Sequence, residues 1–594
     1  MIHKKSRTKS SMELKDSFLL VAAIDFGTTY SGYAYSTRHD FETDPLIINL
    51  MTWNAGSGGL ASQKTSTCVL FKPDKIFHSF GYAAEDFYND LVLDDDQKGW
   101  YFFRRFKMDL YKKHINRDQM LKTSDGKEMS AVTVISAVIA YLKGHLMDTI
   151  KNRAVDVPES EIRWVVTVPA IWTDPAKQMM REAAEKAGIV RNQLILALEP
   201  ETASMLCKHL PAVHLLSGDR TDKVETFRSG SKYMVFDAGG GTIDITVHEV
   251  LEGGFLKEIH AANGGDWGGT KVDEALEELL ESIVGKAAFE HFRANDIPSV
   301  IDLHRNFEVK KKTYTGKDVG TKTTLTVPHS LLESFTAYNP GKPIADAIEI
   351  NHCSTDVEWK RNKVRLSQKK TLSLFEQSLK HITDHMSDIL SKPEVKDCEA
   401  ILMVGGYSEC PLLQDAIRTV AGDIRLIVPS DASLAVLKGA VINGHCPDTV
   451  SERICKYTYG IHTRFSFRKD GYDKYRIVDE DGEIQCEHCF SILTKKGLPV
   501  KIGISSITKS FTVGYSGAKY ITFIMYASTA ENPKYVTDDS CQKIGEMTLQ
   551  MPDTSLGEYR GANVTMYFGG SEIELTAVDI HTGRKISACV DFLG

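Results

Sequence analysis

Ile24-Asp25-Phe26-Gly27-Thr28-Thr29-Tyr30-Ser31 and Val235-Phe236-Asp237-Ala238-Gly239-Gly240-Gly241-Thr242-Ile243-Asp244 follow one plan, with Asp25 and Asp237 standing 212 residues apart. In each, an apolar strand ends in an aspartate, and glycine, a small hydroxyl residue and a second strand follow. Such a turn exposes backbone N–H groups that form a nest for anions. Gly27, Gly239, Gly240 and Gly241 permit a close approach that side chains would block, and Thr28, Thr29 and Thr242 add hydroxyl donors. One copy alone would read as a glycine-rich hairpin with an Asx turn. Two copies a domain's length apart read as two halves related by a pseudo-twofold axis, facing a phosphate from both sides. An aspartate repels phosphate, so Asp25 and Asp237 are assigned to Mg²⁺, held through water and shared with phosphate oxygens. No G-x-x-x-x-G-K-[ST] stretch occurs, which excludes a P-loop enzyme.

The chain has 594 residues, beyond the roughly 250–300 at which one core stops growing, so three or more compact units are expected. Its 42% hydrophobic and 25% charged residues match a soluble globular protein rather than a disordered or membrane chain. A formal charge of −8 supplies no positive field for nucleic acid or anionic lipid, which are set aside as partners. Residues 1–17 are basic at Lys4, Lys5, Arg7 and Lys9 without a signal-peptide core after them, and read as a disordered tail. The apolar run 18–24 is far below the ~20 residues that span a bilayer; it reads as the first strand, and no membrane span is expected. Eleven cysteines scattered through apolar stretches point to a reducing, cytoplasmic setting. Cys486 and Cys489 have metal-like spacing but no second pair nearby; a structural zinc needs four ligands, so they read as two core thiols on a strand.

The first two-thirds alternates short β-branched runs with helical patterns: strand 163–168, helix 175–187, strand 194–198. This is an α/β signature. Asp174 is placed as the cap of that helix, Pro175 at its first position and Gly188 at its end. Beyond Val450 the pattern changes to short alternating segments, with strands over 501–507, 520–526, 563–567 and 572–578. That is a separate β domain, with a boundary within 443–452. Stretches 215–231 and 338–361 read as loop-like inserts.

These two aspartate–glycine stretches, together with Met403-Val404-Gly405-Gly406, resemble the signatures of the 70-kDa heat-shock protein family within the actin and hexokinase superfold. Thr167-Val168-Pro169-Ala170, Leu198-Glu199-Pro200-Glu201-Thr202-Ala203-Ser204 and Gly264-Gly265-Asp266-Trp267-Gly268-Gly269 follow in the family's order. Val168-Pro169-Ala170-Ile171-Trp172, Phe106-Lys107-Met108 and Leu434-Ala435-Val436-Leu437-Lys438-Gly439-Ala440 are similar to its divergent heat shock 70 kDa protein 12 branch. The resemblance runs from about Phe18 to the C-terminus. It implies an α/β fold: an actin-like duplicated ATPase domain over 18–445, with lobe I about 18–230, lobe II about 231–400 and a return over 401–445. A linker (446–456) and a β-sandwich-like domain (457–594) would follow; the family's helical lid after the matching strands is not expected here, a departure from its pattern.

The resemblance also implies roles. Asp25, Asp237 and Asp244 would flank Mg²⁺ and the attacking water, and Glu199 would orient that water. Thr28, Thr29, Tyr30 and Thr242 would line the β- and γ-phosphates. Lys107 is the candidate cation near the γ-phosphate, with Arg104 and Arg105 as alternatives. Gly265, Gly405, Gly406 and Tyr407 on one side and Glu308, Lys311 and Lys312 on the other would take ATP or ADP. Lys312 stands where the family has arginine, which removes planar stacking on adenine, and Tyr407 stands where a small residue is usual. The family's linker is leucine-rich, whereas 446–454 offers only Val450 and Ile454 as aliphatics. The leading reading is a chaperone-like, weakly active ATPase that binds polypeptide and uses a nucleotide-exchange partner. A nucleotide-dependent scaffold for specific protein partners is the alternative, and a small-molecule kinase or an actin-like filament protein ranks below both.

Overall fold

A computed structural model describes residues 18–55, 60–111, 115–153, 157–210, 228–317, 320–351, 355–467, 471–478, 482–503, 506–569, 572–589 and 591–593. The basic tail 1–17 and most of the 215–231 insert lie outside the described residues.

Two α/β halves repeat one sheet plan. In the first, β1 (Leu20–Phe26) and β2 (Tyr30–Thr37) form the antiparallel hairpin that carries Asp25. Strands β3 (Ile162–Val168) and β4 (Leu194–Leu198) add in parallel on the β1 side, giving the order β4-β3-β1-β2. In the second, β5 (Lys232–Ala238) and β6 (Ile243–Val250) form the hairpin that carries Asp237, and β7 (Leu256–Gly265) extends it. Strands β8 (Cys398–Val404) and β9 (Arg425–Ile427) add in parallel beside β5. Each central strand is buried along its length, so its sequence is a continuous apolar run rather than an alternating one.

Helices cover the faces. The apolar stripe of α1 (Ala131–Asn152) packs into the core of the first half; the helix is long and apolar enough to cross a membrane by length and composition, yet that stripe faces protein. Helix α2 (Asp174–Lys186) starts one residue earlier than the sequence indicates: Thr173 takes the cap position, and Asp174 instead accepts a hydrogen bond from Tyr459 Oη at 3.2 Å. Between the halves, α3 (Glu199–His209) crosses α6 (Ala435–His445) so closely that a Cβ on Gly439 would fall 1.7 Å from Thr202 O. Helix α6 packs on the first sheet through Leu437, Ala440 and Val441. In the second half, α4 (Thr270–Val284) and α5 (Ile297–Thr313) flank the cleft.

Two inserts differ from expectation. Part of 338–361 is a helix (Ile344–Asn351) and a strand (Val357–Lys360), because Ile344, Ile348 and Val357 reach the second core. The strand expected over 501–507 is split into β11 (Pro499–Lys501) and a strand Ser506–Thr512. Gly503 between them has φ of 72°, a left-handed value that breaks a strand.

The segment expected as a linker is built into the protein. Strand β10 (Val450–Ile454) pairs in parallel with β7 and antiparallel with β11, completing the second sheet. Beyond it, the C-terminal part is two antiparallel sheets. One has the order Arg476–Val478, Ile484–Thr494, Thr458–Ser466, Tyr520–Ser528, Cys541–Gln550; the other Ser506–Thr512, Gly561–Gly569, Glu572–Asp579, Lys585–Cys589. Ile461, Phe523, Leu549, Val564 and Met566 fill the space between them. Cys486 and Cys489 are buried thiols on one strand, and Cys489 Sγ donates to Cys486 O at 3.2 Å. The chain then returns to the first half: Phe592 N donates to Gln178 Oε1 at 2.7 Å, Asp591 pairs with Arg117, and Leu593 is buried in the first core.

Candidate functional site

The two glycine turns touch. A Cβ on Gly240 would lie 2.3 Å from Thr29 Oγ1, and one on Gly241 2.6 Å from Thr28 Oγ1. Only glycine lets the second turn approach the first this closely. Behind it, the N–H groups of Gly268, Gly269 and Thr270 donate to Gly241 O (3.2 Å), Gly239 O (3.1 Å) and Gly240 O (2.8 Å). The turn's carbonyl oxygens are thereby committed to the protein, which suits a turn that receives an anion.

Carboxylates and cations gather around this contact. Asp25 Oδ1 accepts from Thr167 Oγ1 at 2.9 Å and Oδ2 from Lys64 Nζ at 2.6 Å. Burial pushes the Asp25 carboxyl up, but the charges of Lys64 and Lys107 outweigh it and hold it below the usual range. Lys107 is buried, with Nζ 2.8 Å from Glu199 Oε1 and 5.2 Å from the Trp172 ring. Glu199 is raised to about 7 by burial, against the pull of Lys107 and with repulsion from Asp25 and Asp244. Asp237 is pushed well above its ordinary value by burial, then by Glu199, Asp244 and Asp25. Register sets Asp237 opposite Asp244. Asp244 Oδ1 accepts from Ile171 N at 2.8 Å, and burial raises its carboxyl despite that bond.

The opposite wall comes from α5 and the turn after β8. Gly405 has φ of 86°, and a Cβ there would meet Asp237 Oδ1 at 2.4 Å, so glycine is required to bring this turn against the aspartate. Lys311 Nζ lies 2.7 Å from Asp273 Oδ1, 2.6 Å from Glu308 Oε2 and 3.1 Å from Gly269 O. Its three donors are thus occupied by the protein. Lys312 pairs with Glu409 at 3.0 Å, and Tyr407 is buried against the second core.

A cleft between the halves is lined by Asp25, Gly27, Thr28, Thr29, Tyr30, Lys107, Glu199, Asp237, Gly239, Gly240, Gly241, Thr242, Glu308, Lys311, Lys312, Gly405, Gly406 and Tyr407. Two of the sequence candidates lie off its wall. Gly265 packs under Trp267, where a Cβ would meet the ring at 2.5 Å, and Gly269 lines the cleft instead. Asp244 is buried behind the wall, on the rung beside Asp237. Sequence reasoning missed Lys64 and the bridges between halves, Arg305–Glu85 at 2.5 Å and Arg105–Asp273 at 2.7 Å. Lys64 had one local signal, the hydroxyl run Thr65-Ser66-Thr67 beside it; the bridges join residues far apart in the chain and had none.

Two touching glycine turns, a paired lysine and glutamate and an inter-lobe cleft define a nucleotide-binding protein of the actin-like class. The family model described as Hsp70 protein matches residues 102–316. The chain is 33% identical to heat shock 70 kDa protein 12A of Homo sapiens over 99% of its own length and 93% of that relative's. It is also 33% identical to heat shock 70 kDa protein 12B of Homo sapiens, over 97% and 91%, and 25% identical to the chaperone protein DnaK of Mycoplasma mobile, over 59% and 51%. The chain belongs to the Hsp70 family, in the divergent branch of heat shock 70 kDa proteins 12A and 12B.

Proposed function

We propose that this chain binds ATP with Mg²⁺ in the cleft, hydrolyses it slowly to ADP and phosphate, and engages polypeptide through its C-terminal sandwich. The observation that carries the reading is the contact of the two glycine turns beside the Lys107–Glu199 pair. The donor set suits a divalent ion: Asp25 and Asp237 are buried carboxylates on the cleft wall, with Glu199 beside Lys107 and Asp244 on the rung behind Asp237. Asp25 and Asp237 would hold it through water, and the ion would neutralise charge on the phosphate oxygens.

The chain's own groups do the rest. The turns Gly27–Tyr30 and Gly239–Thr242 cradle the phosphates with N–H and hydroxyl donors. Lys107 meets the negative charge that builds on the transferring group, and Glu199 orients the attacking water from its position against Lys107. Adenosine lies between Gly405-Gly406 and the α5 wall, where Lys312 is tied to Glu409 rather than offering a planar guanidinium.

The second reading, a nucleotide-dependent scaffold with little turnover, is favoured by how firmly the sandwich is joined: β10 lies within the second sheet and Leu593 within the first core. Nine described cysteines are all unpaired, which fits a cytosolic setting. Turnover at saturating Mg·ATP, measured beside Asp25→Asn and Asp237→Asn with and without unfolded polypeptide, tests the reading. Turnover that both substitutions abolish and polypeptide accelerates supports the chaperone-like ATPase. Binding without turnover above the variants supports the scaffold.

A further inference from the structure

The short connection between strands Leu60–Ser62 and Thr65–Ser66 carries Lys64 from the first half into the middle of the cleft. Its ammonium lies 2.6 Å from Asp25 Oδ2 and 2.7 Å from the carbonyl oxygen of Ser433. Ser433 belongs to the second half, in the turn before α6 whose neighbour Ala432 receives the N–H of Gly405. The lysine therefore spans the two halves at the level of the phosphate turns.

Two features separate this lysine from a surface ion pair. The pair is largely withdrawn from water, with side-chain exposures of 16% for Lys64 and 6% for Asp25, so its charge is weakly screened over a few ångströms. Both oxygens of Asp25 also have a partner within the protein. Thr167 Oγ1 occupies Oδ1 and Lys64 occupies Oδ2, so any metal-bound water that reaches Asp25 shares the carboxylate with a fixed ammonium. Of the three donors of that ammonium, two are engaged among the described residues. The third is left for a ligand in a cleft that Lys64 lines together with Gly27, Thr28 and Thr29.

We propose that Lys64 is a phosphate-holding cation that shares charge neutralisation with Mg²⁺, so that this cleft retains nucleotide after the divalent ion is removed. The inference rests on the nucleotide-site reading above and concerns how that site meets the phosphate charge. Lys107 serves the end of the cleft nearest Glu199; Lys64 serves the Asp25 side, and its bond to Ser433 fixes it from the opposite half as well.

The test is equilibrium binding of ATP and ADP to the full chain, in Mg²⁺ and in EDTA, for the wild type, Lys64→Met and Lys64→Arg, with thermal melting without nucleotide as a check on folding. The wild type is expected to lose no more than about tenfold in affinity on transfer to EDTA, and Lys64→Met at least about tenfold more than that. Lys64→Arg, which keeps the charge, is expected to recover most of the loss; a merely structural lysine would change melting without changing the metal dependence. Metal-free affinity in Lys64→Met equal to or above that of the wild type overturns the proposal, as does wild-type binding that is strong in Mg²⁺ and vanishes in EDTA. If the wild type binds no ATP even in Mg²⁺, the nucleotide-site reading falls, and this proposal with it.

Discussion

Lys107 Nζ and Glu199 Oε1 stand 2.8 Å apart although 92 residues separate them, and 3% of the lysine side chain is exposed. The pair ties the segment after Tyr101–Arg104 to the start of α3, and both groups line the cleft. Neither charge is comfortable alone: removing one strands the other in a buried site.

Substituting either partner is expected to reduce ATP turnover by roughly 10²–10³-fold, the usual effect of losing one preorganised electrostatic contact. Glu199→Gln keeps shape and hydrogen bonding, so ATP affinity should stay within a fewfold of the wild type. Single-turnover hydrolysis beside equilibrium binding separates the two effects.

Gly268→Ala is expected to weaken ATP binding by at least about tenfold. Its Cβ would fall 2.6 Å from Gly240 O and 2.7 Å from Gly239 O, and both neighbours are backbone that must shift. The displaced turn is the one that touches Thr28 and Thr29, so the loss should appear in nucleotide affinity, read by calorimetric titration, before it appears in global melting.

Glu201 and Arg453 form a two-bond pair at 2.7 and 2.5 Å between α3 and β10. Glu201→Ala removes the two-bond partner of a mostly buried guanidinium and should cost on the order of 3 kcal/mol, whereas Glu201→Met with Arg453→Leu should cost much less. Faster hydrogen exchange over Val450–Ile454 in the single variant would show that the pair holds the linker strand in the sheet.

Glu258 accepts from Ala262 N at 3.0 Å and Ile454 N at 2.8 Å. Burial raises its carboxyl from 4.5 to about 7, against those hydrogen bonds. Below pH 4.5 both folded and unfolded chains hold the proton and nothing is lost. Between pH 4.5 and 7 only the folded chain holds it, so stability falls as pH rises, by on the order of 3 kcal/mol in all. Glu258→Gln cannot titrate. Its stability relative to the wild type should therefore rise between pH 5 and pH 8, measured by denaturant unfolding at each pH.

The repeated aspartate–glycine hairpins were legible because a hairpin is local: strand, turn and strand lie within twenty residues, and glycine marks where the backbone must approach closely. The structure lines one cleft with Asp25 and Asp237, which the repeat marks, and with Lys107 and Glu199, which only the family resemblance implies. What was not legible depends on contacts without local pattern. Lys64 meets Asp25 from 39 residues away and Arg105 meets Asp273 from 168, and neither arginine nor lysine advertises its partner in sequence. The linker looked weakly apolar because β10, between β7 and β11, is only partly buried, and main-chain pairing and the Arg453–Glu201 bridge replace leucines there. Gly265 and Gly269 belong to one glycine-rich run; Gly265 packs under Trp267 and Gly269 lines the cleft, a difference that the run itself does not mark.

Direct titration of the purified full-length chain with ATP in Mg²⁺, beside the Asp237→Asn variant and with hydrolysis followed in the same samples, addresses the central claim. The account predicts saturable binding of one ATP per chain, with slow turnover that falls to background in the variant. Absence of binding at millimolar ATP, or turnover unchanged in the variant, would contradict it.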